Sequence, residues 1–433
     1  MTRASLSLFA ALGVLAGVVA FGCSSNEASE QGAGGEEEDE GALTSPDPNT
    51  APKAAGALTF KDACAGTSSI TLGAFGDVLM HTPLQKQAYA SPEGFKSTWK
   101  GAMGLLGKAD LTYANLEGPT APGFKKGGSR GTDPGKVYDD VVYSSYPTFN
   151  YHPSLIDDLK ASGVDVVSTA NNHAMDRATG GADETIAQLE QRGMPHTGSK
   201  RAASQEAWHT TTEAKGFKVA WLACAFSTNG IPDPKAQVLR CFDGEQGNGA
   251  KPNPEMLGVI GQLSSDPSID AVIVTPHWGI EYEYKPRDFQ VSVGRAFLDA
   301  GATAVFGGHP HVIQPWDKVV TKDGREGFIL YSFGNFAAGQ ISSNGTPLLA
   351  QRTSLAMYVG LSKAPGKKAW VNGVKYVPLF METDGSIYAR PTSKDEKPGS
   401  LAARSYDLAT RVFGEWNQVG ANDAVVTNPE CHR

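Results

Sequence analysis

Short apolar runs recur along this 433-residue chain, and most of them end on a residue able to bind a metal. Residues 70–75 run to Asp77, 111–115 to Glu117, and 164–169 to Asn172 and His173. Residues 271–275 run to His277, 304–306 to His309 and His311, and 328–332 to Asn335. In α/β sheets ligands gather beyond the carboxyl ends of strands, so this repeated punctuation predicts strand ends that share one pocket. Between the runs, 153–162, 182–192 and 287–300 predict helices, with Pro153 as a start and Gly193 and Gly301 as stops. A helix with a weaker period is predicted over 94–107, a further strand over 218–223, and closing strands near 354–361 and 374–380. Strands alternating with helices predict an α/β layered domain. The stretch 120–147 reads as a loop long enough to be functional or disordered.

Composition narrows the class. Hydrophobic residues make up 40% and charged residues 19%, enough for a sizeable core. The net charge is −8, and eight of the acids, with Arg3 as the one base, fall within residues 1–52. The folded body is close to neutral, which excludes a strongly basic nucleic-acid binder. Met1-Thr2-Arg3, an apolar stretch over 6–21 and small residues before Cys23 form the zones of an export signal over 1–22. The block Ala20-Phe21-Gly22-Cys23 resembles a bacterial lipoprotein signal, which implies a lipid on Cys23 and an address in the cell envelope, facing periplasm or exterior. A plain signal cut nearby or an uncleaved anchor are the alternatives. Residues 23–56 are acidic and rich in Gly, Ser and Pro, and read as a disordered linker ahead of a domain at 57–433 with its core at 68–382. Four cysteines remain in an oxidising compartment, with three possible pairings. Cys224 with Cys241 and Cys64 with Cys431 are favoured, four buried thiols being the alternative.

The punctuating residues suggest the chemistry. Imidazole nitrogen with carboxylate and amide oxygen suits borderline divalent metals such as Mn, Fe or Zn. Gly307-Gly308-His309-Pro310-His311 sets two imidazoles two residues apart in a tight turn. Asp77 or Glu117 can bridge two cations, and a metal pair ~3.5–4 Å apart suits phosphoryl displacement. His173 is placed to act as a general acid. Asp176 either orients the Asn172–His173 turn or caps a helix. His81, Asn115, Glu281 and Asn335 are candidate substrate or metal contacts. Trp278 and Tyr282 either wall the pocket or pack in the core. No G-x-S-x-G elbow, P-loop, post-strand G-x-G-x-x-G or H-E-x-x-H occurs. Ser332, in Tyr331-Ser332-Phe333-Gly334, lacks the sequence of a strained nucleophile turn.

Six blocks occur in order: Gly76-Asp77-Val78-Leu79-Met80-His81, Ala114-Asn115-Leu116-Glu117-Gly118-Pro119, Asn171-Asn172-His173-Ala174-Met175-Asp176, His277-Trp278-Gly279-Ile280-Glu281-Tyr282, Gly308-His309-Pro310-His311 and Tyr331-Ser332-Phe333-Gly334-Asn335-Phe336. Together they resemble the CapA family, the poly-γ-glutamate capsule synthesis proteins, which are similar to calcineurin-like metallophosphoesterases. The resemblance implies a four-layer α/β/β/α sandwich and a two-metal centre. It implies Asp77, Glu117, Asn172, His277, His309 and His311 as ligands and His173 as catalytic acid. It further implies a hydrolase acting in capsule or envelope polymer synthesis. The alternatives are a non-catalytic capsule-assembly factor that binds an anionic polymer and a metal-dependent amide hydrolase. Capsule machinery is the expected partner. The chain departs from the pattern at Leu79, where a His is usual, at Glu117, where Asp is usual, at Gly308, and at Arg177-Ala178-Thr179.

Overall fold

The computed structural model describes residues 43–432 apart from 245 and 248. The expected signal, Cys23 and most of the expected linker lie outside the described residues. No helix among the described residues is long and apolar enough to cross a membrane.

Two sheets form the centre. The first has eight strands, in the order Tyr388–Pro391, Trp370–Glu382, Thr353–Lys363, Ser68–Leu79, Leu111–Leu116, Val166–Ser168 and His196–Thr197, with Asn335–Ala338 added beside the end of Ser68–Leu79. The second has six, in the order Ile313–Val320, Glu326–Phe333, Ala304–Phe306, Ala271–His277, Phe217–Ala225 and Thr210–Ala214. The strands that carry candidate ligands run parallel within each sheet. Their carboxyl ends therefore share an edge.

Alternation along the strands sorts the side chains into layers. Leu72, Ala74 and Tyr113 of the first sheet meet Val219, Trp221, Ile273, Phe306 and Leu330 of the second in one buried cluster. Each large side chain fully buried there contributes about 1.5–3 kcal/mol. The residues one step along face outward. Ala114, Leu116, Val167 and Tyr358 pack under the helices Thr82–Ala90 and Ser154–Ala161. Leu222, Val272, Val274 and Ile329 pack under Pro254–Ser265 and Asp288–Asp299. The result is the four-layer α/β/β/α sandwich that the sequence blocks imply.

Several local expectations change. The helix expected over 94–107 is two 3-10 turns, Gly94–Thr98 and Lys100–Ala102, and a short helix Met103–Leu106. Gly94, Gly101, Gly104 and Gly107 explain the interruption, since each costs a helix roughly 1 kcal/mol relative to Ala. The expected disordered linker ends early, because residues 43–56 lie against the body. Arg411 donates to the carbonyls of Asn49 and Ala51, Ala350 N donates to Ser45 Oγ, and Ala51 is buried in the inter-sheet core. The segment after Glu117 is irregular, as expected, but packed: Val142, Tyr143, Phe149 and Tyr151 are buried. Disulfides join Cys64 to Cys431 and Cys224 to Cys241.

Candidate functional site

Asp77 lies near the end of its strand, where the pairing register shifts and the alternation breaks. Gly76 permits this, since a Cβ there would stand 1.9 Å from the Gly334 carbonyl oxygen. Glu117 follows the last residue of Leu111–Leu116, and His277 ends its own strand. His309 and His311 sit in the turn after Ala304–Phe306 with φ of 97° and 56°. Such backbone costs of order 1–3 kcal/mol per residue and persists only where its surroundings impose it. Here the turn is held to the neighbouring strand end, with Gly308 N donating to Pro276 O and Trp278 N to Gly308 O, both at 3.0 Å. A Cβ at Gly308 would approach Asp77 Oδ1 to 3.0 Å, so the glycine keeps the centre open.

The donors converge. His277 Nε2 is 2.9 Å from Asn172 Oδ1 and 3.2 Å from Glu117 Oε1. His311 Nδ1 is 3.4 Å from Asp77 Oδ2, and its Nε2 is 3.9 Å from Glu117 Oε1. Two sets of three residues each bring ligand atoms within 4.8 Å of one another: Asp77, Glu117 and His277, and Glu117, His309 and His311. Glu117 belongs to both. Asp77 and Glu117 are wholly buried, yet Glu117 Oε2 and His309 Nδ1 have no hydrogen-bond partner, and Asp77 Oδ2 and Glu117 Oε1 face only imidazole nitrogens, at 3.4 and 3.2 Å. Burying carboxylates this way is costly unless a cation compensates them. The residues present therefore fit divalent cations.

The carboxylates and imidazoles of the centre also shift one another's protonation. Burial works to raise the Glu117 carboxyl, but the imidazoles of His277 and His311 outweigh it and bring it down to about 2. Burial lowers His311, but Glu117 and Asp77 overcome that and push it up to about 10. His309 is held well below the usual histidine value by burial and then by His277 and His311, so one of its ring nitrogens keeps a lone pair free to ligate.

Beside this centre, His173 Nδ1 donates to Asp176 Oδ2 at 2.8 Å, and Phe149 N donates to the same oxygen at 2.6 Å. Burial lowers the His173 imidazole, and Asp176 more than restores it, to above its usual value. Asp176 thus orients His173 and does not cap a helix. The helix Ala178–Gln191 starts after Arg177.

The remaining candidates divide. Asn115 Nδ2 donates to Asp77 Oδ1 at 2.8 Å, and Ser168 Oγ donates to Asn115 Oδ1 at 2.7 Å. Asn335 Oδ1 accepts from His311 Nδ1 at 2.9 Å. Each hydrogen-bonds the side chain of a candidate ligand. His81 stands at the start of the Thr82–Ala90 helix, where its Nδ1 accepts from Gly339 N and its ring lies edge-on to Phe149. Glu281 is exposed and lies outside both sets. Trp278 is core, stacked on Phe297 and donating to Tyr331 O, whereas the Tyr282 ring lies 6.1 Å from that of His311. Leu79, where a His was usual, is buried in the outer apolar cluster. Two neighbours of the site carried no signal in the sequence. Phe149 packs on His173 and Phe226 on His309, at 4.7 and 4.3 Å between ring centres.

The sequence profile of the bacterial capsule synthesis protein PGA_cap matches residues 71–340 of the chain, more than half of it. The chain is 30% identical over 192 residues to the capsule biosynthesis protein CapA of Bacillus anthracis, covering 42% of each chain. It is 30% identical over 194 residues to the PGA biosynthesis protein CapA of Bacillus subtilis, covering 42% of this chain and 44% of that one. The chain thus spans less than half the length of these relatives. Among solved structures, a novel phosphatase of Mycoplasma pneumoniae overlays with a TM-score of 0.39 at 15% identity, covering 72% of this chain and 94% of the other. Purple acid phosphatase PPD1 of yellow lupin overlays with a TM-score of 0.28 at 12% identity, covering 75% and 54%.

Proposed function

This chain belongs to the PGA_cap family of bacterial capsule synthesis proteins, and from that premise we propose that it is a divalent-metal-dependent hydrolase of the phosphoesterase type. We place it in the cell envelope, exported by residues 1–22, held to the membrane by lipid on Cys23, and acting with capsule-synthesis machinery on an envelope polymer or phosphoester. The observation that carries the enzymatic reading is the pair of buried carboxylates, Asp77 and Glu117, the latter with an oxygen that nothing satisfies, ringed by His277, His309 and His311.

Asp77, Glu117, Asn172, His277, His309 and His311 would hold two cations, of Mn, Fe or Zn. Bound there, such cations supply Lewis acidity toward a phosphoryl oxygen and an activated water at neutral pH. The protein supplies the rest. Asn335 and Asn115 hold the ligands in orientation. Asp176 keeps a proton on His173 Nδ1, which leaves Nε2 to carry the proton given to the leaving oxygen. Phe149 and Phe226 shield the imidazoles they touch from water.

The test is turnover of an aryl phosphomonoester and an aryl phosphodiester by purified protein supplied with Mn²⁺, alongside metal analysis. His173→Ala is expected to keep its metal and lose ~10²–10⁴-fold in kcat. Wild-type protein that holds metal but cleaves neither ester, nor a γ-linked amide, defeats the enzymatic reading in favour of polymer binding.

A further inference from the structure

Arg177 is wholly buried, and a buried guanidinium is tolerated only when its donors are taken up. It has five N–H groups in a rigid fork, and the structure accounts for five bonds. Nε donates to Phe124 O at 3.2 Å. Nη1 donates to Asp176 O at 2.9 Å and Thr148 O at 3.4 Å. Nη2 donates to Val142 O at 3.1 Å and to Ser144 Oγ. Four of the five acceptors belong to the long segment after Glu117, at three separate points. The fifth is the carbonyl of Asp176, whose side chain orients His173.

The same segment returns to that pair. One residue beyond Thr148, Phe149 N shares Asp176 Oδ2 with His173 Nδ1, and the Phe149 ring lies edge-on to the His173 imidazole. Asp176 Oδ1 has no partner, so apart from His173 itself the N–H of Phe149 is the hydrogen bond that holds the carboxylate. Asn150 closes the circuit, accepting from Ala121 N and donating to the carbonyls of Ala121 and Val142.

We propose that Arg177 is a positioning residue: by fastening the 120–150 segment it sets Phe149 and Asp176, and through them the orientation of His173. The inference rests on the role of His173 given above. Lysine cannot replace it, having three donors and no planar fork.

The test compares Arg177→Met, Arg177→Lys and the milder Ser144→Ala with the full wild-type chain. Hydrogen exchange of residues 120–150 is expected to quicken in the order Ser144→Ala, Arg177→Lys, Arg177→Met, with bound metal unchanged. In protein carrying ¹⁵N-histidine, at a pH high enough for a neutral ring, the His173 signals are expected to move from a single Nδ1–H tautomer to an average of two. On an aryl phosphoester, kcat should fall ~10–100-fold in Arg177→Met while KM changes little. In a His173→Ala background, Arg177→Met should cost nothing further in kcat, because the residue it positions is gone. Unchanged His173 signals, or a full additional loss in that background, overturns the proposal. If no ester is turned over by wild type, the exchange and nitrogen signals still decide it. If Arg177→Met does not fold, Ser144→Ala carries the same comparison.

Discussion

Asp77 and Asn335 stand opposite one another on neighbouring parallel strands, and the imidazole of His311 reaches both: its Nδ1 is 2.9 Å from Asn335 Oδ1 and 3.4 Å from Asp77 Oδ2. The register of one strand pair therefore decides where a ligand from a distant turn comes to rest. Asn335 is in turn held by donating to Gln340 Oε1 and Gln351 O.

A residue in this position acts on the metal site through the ligand it hydrogen-bonds. Groups of that kind typically change metal affinity ~10–100-fold. Asn335→Ala is expected to weaken binding of Mn²⁺ or Zn²⁺ by that factor, read by competition with a chromophoric chelator, while the melting temperature with metal in excess stays near that of wild type.

Glu117 is the residue common to both ligand sets. Glu117→Gln is expected to lose metal from both, whereas His277→Ala should lose it from one. Metal-to-protein ratios from inductively coupled plasma mass spectrometry, after gel filtration, separate the two outcomes. Equal losses in both variants would refute the shared role.

The disulfides join residues 367 and 17 positions apart, and the longer loop restricts the unfolded chain more. Cys64→Ala together with Cys431→Ala is expected to cost roughly 2–5 kcal/mol in unfolding free energy, measured with urea. Cys224→Ala with Cys241→Ala should cost less on the entropic account. It also opens the buried outer cluster that includes Leu222 and Leu239, so its loss is partly one of packing.

Burial holds His152, His196 and His209 below the usual histidine value. They stay neutral in the folded protein at pH values where the unfolded chain takes up protons. Their contribution is full above the unfolded value of ~6.5 and is lost as pH falls below it. His196→Gln removes one such group. The stability of wild type relative to this variant is expected to shrink between pH 7.5 and 5.5. A difference that grows as pH falls would contradict the burial argument.

Much of this protein was legible along its chain, because strand ends and turns are local. The runs ending at Asp77, Glu117, His277 and His309 declared themselves by composition and punctuation, and the centre is assembled from those residues. Other features had no local sign. The helix Leu401–Phe413 had no apolar run to reveal it, since its buried face is spread over Ala402, Ser405, Leu408, Ala409, Val412 and Phe413. Residues 43–56 resemble a free linker in composition, and only residues hundreds of positions away, Ala350 and Arg411 among them, give them somewhere to lie. Phe149 and Arg177 look like any aromatic and any cation until the fold closes one over His173 and buries the other beneath Val142 and Thr148. Residue type and spacing determined which donors this chain carries. Which of them share a cation, and which hold the others in place, depended on strand register and on contacts between segments far apart in sequence, which no local pattern encodes.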